Sequence, residues 1–128
     1  MIYLLDTHAL IWFLEGGRKL GARALKILRD DQQKLLIPSI VLAEAKYLAH
    51  KSKITLPFTE ILEAVTDPRC TIYPLDLAVI EAMPPDLEIH DAILCGTALV
   101  CMDSWGEDVR VITKDEAIVQ SGIVATTW

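Results

Sequence analysis

Short apolar runs alternate along this chain with longer stretches of helical period, and that alternation constrains the fold more than any other feature. Ile2 to Leu5, LLIP at 35–38, CTIYPL at 70–75 and VRVIT at 109–113 read as strands, with Ile123 to Ala125 as a last edge strand. Continuous apolarity in Ile2 to Leu5 marks a strand covered on both faces, as parallel strands are. Between the strands lie helices. THALIWFLE ends at Gly16 and Gly17, and Gly21 to Asp30 carries Ala22, Leu25 and Leu28 at helical spacing. Ser39 is a suitable N-cap for the next helix, and Pro57 opens another over Phe58 to Val65. Asp76 to Met83 stops at Pro84-Pro85, and His90 to Met102 is the most apolar helix of the chain. DSWGED reads as a turn-rich loop, and Lys114 to Gln120 as a short helix. The pattern predicts an α/β fold with a mostly parallel sheet covered on both faces, in one domain spanning residues 1–128.

Several function classes are disfavoured at once. No apolar run approaches the ~18 to 20 residues of a membrane span, so a soluble protein without a membrane role is expected. The apolar start is broken by Asp6 and His8, with no basic region before it and no small-residue cleavage site after it, which reads as strand and helix instead of a leader. Cys70, Cys95 and Cys101 are odd in number and lack zinc spacing, which fits reduced thiols in a cytoplasm. A formal net charge of −6 disfavours a general polyanion binder, so any nucleic acid must be held locally. Lys46, Lys51 and Lys53, with Arg18 and Lys19, are the main basic groups that could meet phosphates, although scattered lysines are ordinarily solvated surface.

Four acids stand at the junctions. Asp6 and Asp115 lie just beyond strand ends, where ligand sites of open parallel sheets gather, while Glu44 and Asp91 belong to early turns of helices. Each has an ordinary explanation: Asp6 as a helix cap, Asp91 as a first-turn acid, Glu44 as a solvated face residue, Asp115 as part of a turn. Jointly they suggest one site, with Asp6, Asp91 and Asp115 as metal ligands and Glu44 as a fourth catalytic acid. Clustered carboxylates repel, so keeping them ionised at neutral pH calls for a cation, and oxygen-only donors suit magnesium or manganese. Such a site suits phosphodiester hydrolysis by a metal-activated water. Ser39 and Thr113 carry hydroxyls that could orient a carboxylate or a metal water, and Thr7 could orient Asp6. His8 and His90 flank two of the acids without being assigned a role.

At these residues the chain resembles the PIN-domain family, and within it the toxin ribonucleases of VapBC-type toxin–antitoxin modules. LLDTHALIW with Asp6 is similar to the family's opening strand and first acid, and PSIVLAEA with Ser39 and Glu44 to its second motif. EIHDAILCGTAL with Asp91, Thr97 and Ala98 resembles the third, and VITKDEAI with Thr113 and Asp115 the last. Where the family often has an acid three residues before the third-motif aspartate, this chain has Glu88, and the arginine that commonly follows that aspartate is replaced by Ala92. The resemblance implies a three-layer α/β/α sandwich, often homodimeric, that cleaves RNA with magnesium or manganese and is silenced by a cognate antitoxin. Such an antitoxin could inhibit by placing an Arg or Lys side chain among the carboxylates.

Two other readings stay open. Asp6 at a strand end could be the nucleophile of an aspartyl-phosphate phosphatase or phosphotransferase, though DTH lacks the second acid of a DxD motif. Alternatively, the acids of a catalytically inactive module could bind a basic partner segment.

Overall fold

A computed structural model describes residues 1–128. Five strands, β1 (Ile2–Leu5), β2 (Lys34–Pro38), β3 (Cys70–Tyr73), β4 (Val109–Ile112) and β5 (Ala125–Thr127), form one sheet in the order β3-β2-β1-β4-β5. Every pairing is parallel, so the sheet is fully and not merely mostly parallel. The chain builds outward from β1 through β2 to β3, then crosses back to lay β4 on the other side of β1. Right-handed crossovers running in opposite directions place their helices on opposite faces of a sheet. Helices α1 (Thr7–Leu14), α2 (Ala22–Arg29), α3 (Ser39–His50) and α4 (Phe58–Ala64) therefore form one layer. On the other face lie α5 (Leu77–Ala82), α6 (Ile89–Trp105) and α7 (Glu116–Ser121), completing the expected α/β/α sandwich. Its core holds Leu4 and Leu5 of β1, Leu36 and Ile37 of β2, and Val111 and Ile112 of β4, all essentially inaccessible. Edge strands β3 and β5 are only partly covered.

Three local readings are corrected. DSWGED is not wholly a loop: Asp103, Ser104 and Trp105 continue α6, which stops only at Gly106, where a φ of 61° supplies the left-handed cap. Trp105 then packs edge-on against Tyr73 with ring centroids 5.9 Å apart, which offsets the weak helix propensity of that last turn. The final strand lies at Ala125–Thr127, two residues later than expected, because its register is set by pairing with Arg110 to Ile112. In α2 the buried positions are Ala24 and Leu28, while Ala22 is exposed. The cysteines are all free thiols, and burial followed by the Asp91 charge pushes Cys95 up to about 11, so it stays neutral beside the acids. No helix is long and apolar enough to cross a membrane.

Candidate active site

The order β2-β1-β4 makes the gap between β1 and β4 the point where the winding direction reverses, and in open parallel sheets ligands bind outside the carboxyl ends of the strands at that point. A cleft of about 800 Å³ opens there, lined by Asp6, Glu44, Glu88, Asp91 and Asp115 among others. All four acids singled out in the sequence are thus brought together.

Asp6 leaves β1 with extended backbone and caps α1, its Oδ1 accepting from Ala9 N at 2.7 Å. Asp115 does the same for α7, accepting from Ile118 N at 3.2 Å. The capping explanation and the ligand explanation are compatible. Capping engages one oxygen of each, and a carboxylate with about four lone-pair sites keeps capacity for a cation. Thr113 is buried between the two acids: its hydroxyl accepts from Asp115 N at 3.0 Å and also lowers the pKa of Asp6. Asp91 sits in the first turn of α6, where the helix dipole favours a negative charge. Glu88 is the N-cap of that helix, its Oε2 accepting from His90 N at 3.0 Å.

Two supporting hydroxyls behave differently from expectation. Thr7, buried at the start of α1, donates to Glu44 Oε1 at 3.0 Å, so it positions Glu44 and not Asp6. The second Glu44 oxygen faces His90 Nδ1 at 3.9 Å, and His90 Nδ1 is also 3.5 Å from Glu88. Ser39 is neither the cap of α3, a place taken by Pro38, nor a cleft residue. Its Oγ accepts from Leu75 N at 3.1 Å and ties α3 to the segment after β3.

Electrostatics show how closely the carboxylates are set. Burial, then the charge of Asp115 and that of Glu88, raise the pKa of Asp91, and Asp6 adds to this. Burial also raises Asp6 above the ordinary carboxylate range against the lowering by Thr113, with Asp115 contributing repulsion. No three His, Cys, Asp or Glu side chains close into a ready-made cage. Carboxylate oxygens are the donors that hard divalent cations take.

A carboxylate whose folded pKa is raised destabilises the fold progressively as pH rises from the unfolded to the folded pKa, and the full cost persists above it. Asp6→Asn keeps the cap, since asparagine caps as well as aspartate, and removes the charge. In EDTA at pH 7.5 the variant should melt above wild type, with the difference vanishing once Asp6 is protonated in acid. Thermal melts across that pH range check it; a lower melting temperature at pH 7.5 would contradict it.

Sequence reasoning did not place Trp12, Leu94, Lys114, Glu116 or Trp128 in the cleft. Lys114 is the only Lys or Arg of the cleft lining, whereas Arg18, Lys46, Lys51 and Lys53 lie elsewhere. Lys46 and Lys51 instead cover Phe58 and Tyr47 with ammonium-to-ring distances of 5.7 and 5.8 Å. Proximity to Asp115 was the available signal for Lys114, and for Trp12 it was the excess of apolar side chains at Leu10, Trp12, Phe13 and Leu14 over what one helix face buries; Trp128 carried none.

Residues 3–120 match the sequence model of the PIN domain. The chain belongs to the PIN-domain family. Two solved structures share its PIN-like fold. VapBC2 of Rickettsia felis, bound to a DNA fragment from its promoter, superposes with a TM-score of 0.71 at 17% identity, over 100% of this chain and 99% of that one. VapBC-1 of nontypeable Haemophilus influenzae superposes with a TM-score of 0.60 at 18% identity, over 99% of this chain and 97% of that one. At such identities the likeness establishes the fold alone. The chain matches no curated protein.

Proposed function

We propose that this PIN-domain protein is a divalent-metal-dependent endoribonuclease and the toxin of a VapBC-type toxin–antitoxin pair. The observation that carries the reading is the meeting of Asp6, Glu44, Asp91 and Asp115, from four separate segments, in one cleft at the switch point of the sheet. Membership of the PIN family and the likeness to two VapBC structures support it.

Asp6, Asp91 and Asp115 would hold magnesium or manganese, which when bound polarises a phosphoryl oxygen and lowers the pKa of a water. Glu44, anchored by Thr7 and facing His90, would accept the proton of the attacking water. Lys114 brings a positive charge to the phosphate in a cleft otherwise lined by six acids. Thr113 and Glu88 hold the loop of Asp115 and the first turn of Asp91 in place. The reading includes a cytoplasmic location, consistent with the free thiols, a cognate antitoxin that covers the cleft, and pairing with a second copy of the chain.

The test is cleavage. Purified without a partner, the protein should cut a pool of structured RNAs in manganese or magnesium and stop on addition of EDTA. Manganese binding without cleavage would point to an untried substrate. Neither binding nor cleavage would return the chain to the inactive-module reading, and an acid-stable phosphoryl adduct on Asp6 would favour phosphotransfer.

A further inference from the structure

One wall of the cleft carries a chemistry that phosphodiester hydrolysis does not use. Of the side chains lining the cleft only Trp12, Leu94 and Trp128 are hydrophobic, and two of these three are indoles set against each other. Trp12 comes from α1 and Trp128 from the segment after β5; their rings meet edge to face with centroids 5.8 Å apart and planes at 70°. Lys114 places its Nζ 4.8 Å from the Trp12 ring and 5.8 Å from the Trp128 ring, and Lys19 lies 5.7 Å from Trp12. His8 extends the group, its ring 5.3 Å from Trp12 and tilted by 51°.

The pair is packed against the rest of the fold. Both indoles pack partly on the main core, and Trp128 lies so close to Gly21 that a Cβ there would stand 2.4 Å from the Trp128 carbonyl carbon. Two large aromatic surfaces are thereby held in an acidic cleft, beside its one ammonium group. Flat aromatic faces next to a positive charge suit the flat, electron-rich rings of nucleobases joined to phosphates.

We propose that Trp12, Trp128 and Lys114 form a stacking subsite that seats one unpaired base of the RNA beside the phosphate held over the carboxylates. This rests on the ribonuclease reading and deepens it. A base can reach the indoles only when it is free of a duplex stack, so the subsite selects single-stranded and loop segments. Because every base has a π-face, it discriminates strandedness more than sequence. Lys114 is exposed, and a cation over an indole at an exposed position is held more weakly than a stacked base. The base takes the ring face and the ammonium moves to the phosphate.

The test uses the full chain carrying Glu44→Gln, which prevents cleavage while leaving the three metal carboxylates intact, and Trp105→Phe, so that emission comes from Trp12 and Trp128 alone. Three probes, each 5′-labelled so that anisotropy reports binding even to a chain without tryptophan, are titrated in magnesium: a single-stranded uridylate 12-mer, the same strand annealed to its complement, and an abasic phosphodiester 12-mer. The single strand should quench the indole emission and bind at least about tenfold more tightly than the abasic strand. The duplex should leave the emission unchanged. Trp12→Leu with Trp128→Leu should remove the preference for the base-carrying strand over the abasic one. In the otherwise wild-type enzyme the same pair should raise KM for single-stranded RNA more than it lowers kcat, with Trp12→Phe restoring most of the loss. If the doubly substituted protein does not fold, the comparison of base-carrying and abasic strands on the chain with both tryptophans decides the question. Equal affinity for those two strands, or cleavage untouched by the leucine pair while manganese-dependent activity persists, overturns the proposal and leaves the wall to a protein ligand. A wild-type chain that neither binds nor cuts RNA in manganese overturns the ribonuclease reading itself, and the subsite with it.

Discussion

Asp91→Asn should fold as wild type does and lose RNA cleavage by more than about a hundredfold, since even partners one shell removed from a metal are worth roughly 10- to 100-fold. The substitution is nearly isosteric and sits in the first turn of α6, where Asp91 is half-buried next to Glu88, Asp115 and Asp6. Losing the charge forfeits the favourable interaction with the helix dipole, worth about 0.3 to 1 kcal/mol. Relief of repulsion from the three neighbouring acids opposes that loss, so the melting temperature in EDTA should change little. Manganese should raise the melting temperature of wild type, because a ligand bound only by the folded state stabilises it by mass action, and should raise that of the variant far less. Cleavage rates in manganese, paired with melts in manganese and in EDTA, separate a lost site from a lost fold. Wild-type cleavage in a well-folded Asp91→Asn protein would remove Asp91 from the site.

The second large effect is on stability. Gly96 lies in the middle of α6, where glycine costs about 1 kcal/mol relative to alanine, so a reason for it has to be sought in packing. A Cβ at Gly96 would stand 2.8 Å from the Val79 carbonyl oxygen and 3.4 Å from Met83 N, both backbone atoms of the α5 segment. Backbone cannot rotate aside as a side chain can, so α5 and α6 have to part. Gly96→Leu should destabilise the domain by about 3 kcal/mol or more, the upper part of the usual range for overpacking, and lower the melting temperature by about 10 °C. Gly96→Ala should also destabilise, despite its better helix propensity, but less. Thermal or urea unfolding of both variants measures this; an alanine variant more stable than wild type would show that α5 yields freely.

Much of the fold was legible because its causes are local. The buried runs of β1, β2 and β4 and the long apolar stretch of α6 have periodicities read within a few residues, and Gly16, Gly17 and Pro84-Pro85 punctuate them by restricting or freeing φ. Errors fell where a distant partner overrides local preference. Trp105 packs on Tyr73 and lengthens α6 past residues that favour loops, and β4 draws β5 two residues along the chain. Ser39 has the chemistry of a cap, yet its hydroxyl is used by Leu75.

The acids of the cleft were legible for the same reason as the strands. A carboxylate just after a parallel strand is carried to the carboxyl edge of the sheet whatever the rest of the chain does, so Asp6 and Asp115 were placed by their own neighbours in sequence. What tertiary structure alone decided is which groups share the cleft with them. Thr7 reaches Glu44 across α1 and α3, and Trp12 meets Trp128 from nearly opposite ends of the chain. Local propensity carries no information on strand order, and it is the order β2-β1-β4-β5 that lays α1 next to the segment after β5. The carboxylates follow from the pattern of strands; the aromatic wall beside them follows from the sheet those strands assemble.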